Sequence, residues 1–516
     1  MSLSLSFVQV DPAPAPSETL PFVKRLVLTG TAVAKFTEIS FRVDTKSGGT
    51  AEPVSATYSR ANLLARGLIA NGRVVVPVFG LYENRTNTVR VTYKYPRYTT
   101  TATGSLVCSI TTTQWNVSEY RRNPNQNERT GLHDIVARNR AIPLSFSYFM
   151  LKNIARDFGT PVVMDIDGEV RWVGSFAGHV GSAYYNGSFF VGQNPGTLLR
   201  MELDGTCRTV KTFWDELTQT GYRDWHHNID PGKDGMLVTL NRVYPAIGNQ
   251  PKYEDVECIV IEINTSGTIL RTWNLATIIR DYIRAAGVPG QEDPDEFVFT
   301  SDPNDPEHGT NDWLHINASA YWKSRNELVV SGREDFVISV GYDDKQIKYI
   351  LGDPRKKWYT DYPCLRRKAL TVTGSGRYPI GQHAVSISAY NGVETLMLFD
   401  NGLGGLFFPS PNRSPANSAC RQYRINTVTM QATEVWTYDH VPSLYSSICS
   451  SIYKFGSSFL INYASNNWGQ EASTQTVQIL GIDGAKRTGF EFEIRGKTIF
   501  NGWNAFPFSL SNLVFK

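Results

Sequence analysis

Residues 311–354, NDWLHINASAYWKSRNELVVSGREDFVISVGYDDKQIKYILGDP, decide the fold. They divide into a first strand opened by His315, a polar turn, ELVVSGR, a short break, FVISVGY, an Asp-Asp turn and KQIKYILG. β-Branched and aromatic residues alternate with polar ones between turn signals, the pattern of an antiparallel meander. Arg333 ends the second strand, so antiparallel pairing can return it to the neighbourhood of the histidine that opens the first.

The same kind of hairpin recurs on either side. An apolar strand, a turn of the Asp/Asn-Gly kind and a second strand often ending in an aromatic residue appear six times. The copies are VVMDIDGEVRWVG, LLRMELDGTCRTVKTF, VIEINTSGTILRTWNL, VISVGYDDKQIKYILG, YRINTVTMQATEVWTY and VQILGIDGAKRTGFEF. Hairpins repeated in this way, with other strand pairs between them, predict a six-bladed β-propeller of four-stranded sheets. Long loops make the spacing irregular, and LATIIRDYIRAAG predicts a helix inside one of them. The C-terminal FNGWNAFPFSL is expected to supply a strand that closes the ring and removes a free sheet edge.

Upstream, LVLTGTA, EISFRVD, PVSATYS, RVVVPVFGLY and NTVRVTYKY alternate strands with turns and predict a small β-sandwich of fibronectin-like size. The chain is therefore expected to be all-β: a sandwich over residues 1–98, a linker with loops over 99–143 and the propeller over 144–516. A length of 516 residues, 12% aromatic, with 42 Gly and 26 Pro, suits many short strands and tight turns. A net charge of +3 without a Lys/Arg run argues against nucleic acid, and no apolar run is long enough to span a bilayer. Six cysteines form no CxxC and permit disulfides without demanding them. MSLSLSFVQVDPAPAP has neither a basic n-region nor a proper apolar core, so no secretory signal is visible.

The repeats also align histidines. His179, His227, His315 and His383 each precede a strand and hairpin at the same point, where a propeller strand lines the central channel. Serines take this place in SLYSSICSSIYKFGSSFLINY. A ring of imidazoles could bind zinc or copper, which a carboxylate would commonly complete. The best-placed extra group is instead Arg333, whose fixed charge opposes a cation and whose planar fork suits sulfate or phosphate oxygens. An anion site in which one neutral histidine attacks is the favoured reading. Pairing of Arg333 with Glu334 or Asp335 is the plainer alternative, weakened for Glu334 because adjacent strand residues face opposite ways.

Several motifs together resemble the bacterial arylsulfate sulfotransferases. They are VPVFGLYENRTNTV in the sandwich, then DIDGEVRW, WHHNI, NDWLHIN, SGRED, YILGDP, GQHAVSI, LFDNG and QYRIN through VWTYDH. The resemblance implies His383 as a nucleophile that becomes sulfohistidine, with His315 and Arg333 on the sulfuryl oxygens and the histidine of WHHNI assisting. His227 is preferred for that role, His226 facing the other way on a strand; His226 and Asn317 are expected to help bind substrate. His179 is given a channel-lining structural role. Relatives carry a short-loop disulfide before the nucleophile, but Cys364 has no second cysteine close by.

The implied reaction moves a sulfuryl group from an aryl sulfate to a phenol in two halves. It requires no dissociable cofactor and no metal, and no phosphate-binding Gly-rich loop is present to hold a nucleotide. Trp225, Trp313, Tyr342 and Tyr390 could stack on an aryl ring or serve as blade core. The family implies a periplasmic or secreted protein, with no membrane partner and a homodimer possible through the sandwich. A non-catalytic binding propeller and a metal-dependent propeller hydrolase are the rival classes.

Overall fold

The computed structural model describes residues 3–15, 17–18, 20–115, 133–152, 159–177, 181–218, 220–247, 250–255, 258–289, 313–405, 412, 417–441, 443–466, 476–495 and 504–516. The N-terminal unit is a sandwich of two sheets. One has four strands, in the order Ser6–Pro12, Val23–Thr29, Arg73–Phe79 and Ile69–Ala70. The other has five, in the order Leu513–Phe515, Val54–Ser59, Glu38–Val43, Thr86–Arg97 and Thr100–Thr111. Alternation sets the inner faces: Ile39, Phe41 and Val43 share one core with Val74, Val76 and Val78, while Glu38, Ser40 and Arg42 remain partly or fully solvated.

Three segments lie elsewhere than the expected boundaries of 98 and 143 put them. Thr100–Thr111 pairs along its whole length with Thr86–Arg97, from Arg97↔Thr100 to Thr86↔Thr111. Its polarity suggested a linker, but threonine is β-branched, and an edge strand with a solvated face accepts it. Asp134–Arg138, from the same connector, extends the last sheet by pairing with Thr488–Arg495. Leu513–Phe515 returns to the sandwich as a parallel partner of Val54–Ser59.

The rest is a β-propeller. Among the described residues, six sheets follow one another, and each hairpin read from the sequence forms the outer strand pair of one, with Thr371–Thr373 added outside the fifth and Asp134–Arg138 outside the sixth. The innermost strands are Asn504–Phe508, Ser182–Tyr185, Thr220–Pro231, Ile316–Trp322, His383–Tyr390 and Ser451–Phe455. From Ser182–Tyr185 onward each touches the next, and Ser451–Phe455 touches Asn504–Phe508. Tyr184 and Phe508 complete the circle with ring centroids 4.9 Å apart. The C-terminal strand closes the first sheet by pairing with Tyr148–Lys152, in register from Tyr148↔Phe508 to Lys152↔Asn504. The expected helix spans Leu275–Ala286; the Asn274 side chain accepts from the Thr277 N–H, and Gly287 ends it at a left-handed φ of 55°.

A buried arginine joins sandwich to propeller. Arg171, from GEVRW, is fully buried and pairs with Asp165 at 2.9 Å. Its Nε and Nη2 donate to the sandwich carbonyl of Gly80 at 3.0 and 2.6 Å. The guanidinium lies 3.7 Å from the Tyr82 ring centroid, so charge, planar donors and π-face are all used at once.

Candidate active site

His315 and His383 lie where innermost strands begin and His226 and His227 lie midway along Thr220–Pro231, and the backbone at these points departs from a regular strand. φ is positive at His227 (57°), His315 (52°), Ala384 (54°), Cys449 (57°) and Ser450 (82°). Pairing slips between Trp225 and Ile229, between Ile316 and Ala318, and between His383 and Ser386. Left-handed backbone is costly for residues with a side chain. Its recurrence at one level of four successive sheets marks that level as the constrained part of the channel.

These hooks bring three rings together. His227 Nε2 lies 3.0 Å from His315 Nε2, and the ring centroids are 4.8 Å apart. The His383 ring is 6.1 Å from that of His227, and the His226 ring 5.2 Å. His226 and His227 are both buried, and the expectation that His226 faces the other way rested on strict strand alternation. The slipped register and left-handed φ at His227 remove the two-residue period on which it rested.

His383 has a defined tautomer. Its Nδ1 faces two oxygens, Asn401 Oδ1 at 2.8 Å and the Gly381 carbonyl at 3.1 Å, and must carry the proton. Its Nε2 accepts the Cys449 backbone N–H at 3.1 Å and must hold a lone pair. Burial, followed by the field of Arg333, pushes the imidazole down to about 3. Burial holds His227 well below the usual histidine value, with His315, His226, His383 and Arg333 adding to the effect. The His383 ring, with its lone pair on Nε2, is therefore neutral at any ordinary pH.

Arg333 is fully buried, and its backbone N–H donates to the His315 carbonyl at 3.1 Å. Its Nη1 also pairs with Glu334. Alternation had argued against that pair, but the strand ends at Gly332 and both residues lie in the following bend. Lys356 donates to the Glu334 and Gly404 carbonyls, the latter at 2.9 Å. Asp335, behind them, is pushed up to about 7 by burial. Arg333 is thus a braced cation beside neutral rings, a setting that favours anion oxygens over a metal ion.

Asn317, expected near substrate, gives its amide N–H to the Gln382 carbonyl at 2.7 Å, one residue before His383. Gln382 returns a bond to the Gly332 carbonyl at 2.7 Å, next to Arg333. Gln382 therefore ties the His383 hook to the Arg333 hook, and Asn317 braces it from the strand that follows His315. Trp225, Trp313 and Tyr342 belong to the core between sheets, and Tyr390 packs against another core cluster. His179 lies outside the described residues. Cys364 is buried and forms no disulfide among the described residues.

Residues 139–502 match the family model described as Arylsulfotransferase (ASST), and residues 9–107 match the Arylsulfotransferase Ig-like domain. The chain belongs to the arylsulfotransferase family. A relative from Escherichia coli O6:H1 (strain CFT073), named arylsulfate sulfotransferase AssT, is 25% identical over 275 residues, covering 46% of this chain and 44% of that protein. The match thus spans less than half of the relative's length. Two solved structures overlap weakly. The Cps50 (Swd1) β-propeller domain of Myceliophteria thermophila has a TM-score of 0.31 at 11% identity, over 72% of this chain and 88% of that one. A Bacteroides thetaiotaomicron VPI-5482 protein of unknown function has a TM-score of 0.32 at 9% identity, over 95% and 98%. The fold rests on the strand order above and not on these overlaps.

Around His383, sequence reasoning passed over Asn401 and the backbone N–H of Cys449. LFDNG marked the neighbourhood of Asn401, since an Asn-Gly pair usually signals a turn, but not a side chain directed at His383. A backbone donor leaves no signature in residue identity at all.

Proposed function

We propose that this protein transfers a sulfuryl group from an aryl sulfate to a phenol through a sulfohistidine at His383. The observation that carries the reading is the His383 Nε2, left unprotonated because Nδ1 carries the proton and met by the Cys449 N–H, in a ring 6.1 Å from that of His227. In the first half, Nε2 forms a bond to sulfur as the bond from sulfur to the aryl oxygen breaks. The phenolate leaves with that electron pair. The Cys449 N–H, released from Nε2, becomes available to a sulfuryl oxygen beside the Arg333 fork. In the second half, the acceptor oxygen attacks sulfur, His383 leaves as a neutral ring, and the hydroxyl proton passes to the His227–His315 pair and on to solvent. Family membership and the E. coli relative's name support the aryl sulfate donor.

The same reading takes the propeller as six-bladed, the protein as periplasmic or secreted, and the sandwich as a dimer surface. The edge strand Thr100–Thr111, with Val107 exposed, supports the last of these. Turnover of a chromogenic aryl sulfate with added phenol tests the function. Phenol-dependent colour release is expected, and its absence across aryl sulfates would refute it.

A further inference from the structure

We infer that Asn401 is the positioning residue of the nucleophile, and that its amide couples the tautomer of His383 to the hook of the neighbouring sheet. This rests on the function proposed above and adds a residue to it. Asn401 is fully buried just beyond Val393–Asp400, the strand that pairs with the one His383 opens. Its Oδ1 accepts from His383 Nδ1 at 2.8 Å. Its Nδ2 donates to the carbonyls of Ser446 at 2.7 Å and Cys449 at 3.0 Å. The flipped amide would set NH2 against an N–H and an oxygen against two carbonyls, so the network fixes its orientation.

The loop held by Nδ2 is the one that returns to the nucleophile. Cys449 gives its carbonyl to Asn401 and its N–H to His383 Nε2, with left-handed backbone at Cys449 and Ser450. Serines brace the same loop: Ser418 Oγ donates to the Asn401 and Ser446 carbonyls at 2.9 and 3.1 Å, and Ser446 and Ser465 Oγ are 3.0 Å apart. One side chain thus fixes both ends of the imidazole, Nδ1 directly and Nε2 through Cys449. Only an amide can do this. A carboxylate could accept from Nδ1 but would set its second oxygen against two carbonyls, and its charge would favour the imidazolium, which has no lone pair to attack with.

The charged and titratable groups around His383 are Arg333, His315, His227 and the Cys449 thiol. Asp400, next to Asn401, is committed to Arg421 at 2.5 Å. No carboxylate among these faces the His383 ring to offset the neutral amide.

The test is the 15N spectrum of histidine-labelled protein, with activity measured on the same samples. Wild type is expected to show His383 as a single neutral Nδ1–H tautomer down to about pH 4. In Asn401→Leu, which keeps the branched shape and loses every polar contact, the Nε2–H tautomer appears, and kcat falls on the order of 100-fold while KM changes little. A wild-type Nε2–H tautomer, or an Asn401→Leu protein with wild-type kcat, overturns the inference. The wild-type spectrum decides even if the variant fails to fold. Absence of aryl sulfate turnover in wild type would strike the proposed function alone, leaving the tautomer result standing.

Discussion

Replacing Arg171 with methionine removes the buried cation that joins the two units, and its cost can be worked from its contacts. The side chain has no solvent exposure, one ion pair to Asp165, two bonds to the Gly80 carbonyl and the face of Tyr82. Stripping one partner from a buried ion pair costs about 3–5 kcal/mol, mostly because the other charge is stranded. Burial already pushes Asp165 above the usual carboxylate value, and Arg171 is the chief group opposing that rise. Without Arg171 the folded state binds a proton on Asp165 more tightly than the unfolded chain does. The variant's stability therefore falls as pH rises from the ordinary carboxylate range to the raised folded value, and the penalty is smaller at pH 5 than at pH 8. Adding Asp165→Asn should recover about 2 kcal/mol or more, because Oδ1 still accepts the Asp167 and Glu169 N–H groups while no charge is stranded. Urea unfolding of the three proteins at both pH values is the assay. A loss below about 1 kcal/mol for Arg171→Met, or a penalty that does not change with pH, would refute the reasoning.

Other outcomes follow from the site. Arg333→Lys should fold and lose about 100-fold or more in kcat, since an ammonium cannot reproduce the planar fork; near-normal turnover would make Arg333 a structural cation only. His227→Ala and His315→Ala should retain slow transfer in single-turnover assays, whereas His383→Ala should lose both halves. His383 is held neutral from its ordinary value near 6.5 down to about 3, so it contributes stability above 6.5 that is lost as pH falls through that window. Asp335, pushed up to about 7, contributes the opposite slope, so the informative quantity is wild type minus His383→Gln in urea midpoint between pH 7.5 and 4.5. That difference should narrow on acidification, and a constant difference would contradict the burial of a neutral ring.

The hairpins were legible because each must present one apolar face and end in a turn, so VIEINTSGTILRTWNL and VQILGIDGAKRTGFEF show their kinship without any alignment. The histidines were legible because repetition assigned them one position, and His227, His315 and His383 do converge. What escaped depended on departures from regular backbone. Alternation discounted the Arg333–Glu334 pair because a bend interrupts the strand there, and left-handed backbone at His227 breaks the period on which the His226 reading rested. Thr100–Thr111 resembled a linker because an edge strand can be polar along much of its length. Asn401 acts through an orientation fixed by carbonyls 45 and 48 residues away, a relation that no local pattern encodes.

The central claim is that His383 accepts the sulfuryl group. Mass spectrometry of the enzyme quenched after mixing with an aryl sulfate and no acceptor tests it directly. The account predicts one sulfuryl adduct, on the His383 peptide, formed with one equivalent of phenol released and discharged when a phenol is added. An adduct on another residue, or full turnover by sequential kinetics with no adduct, would contradict it.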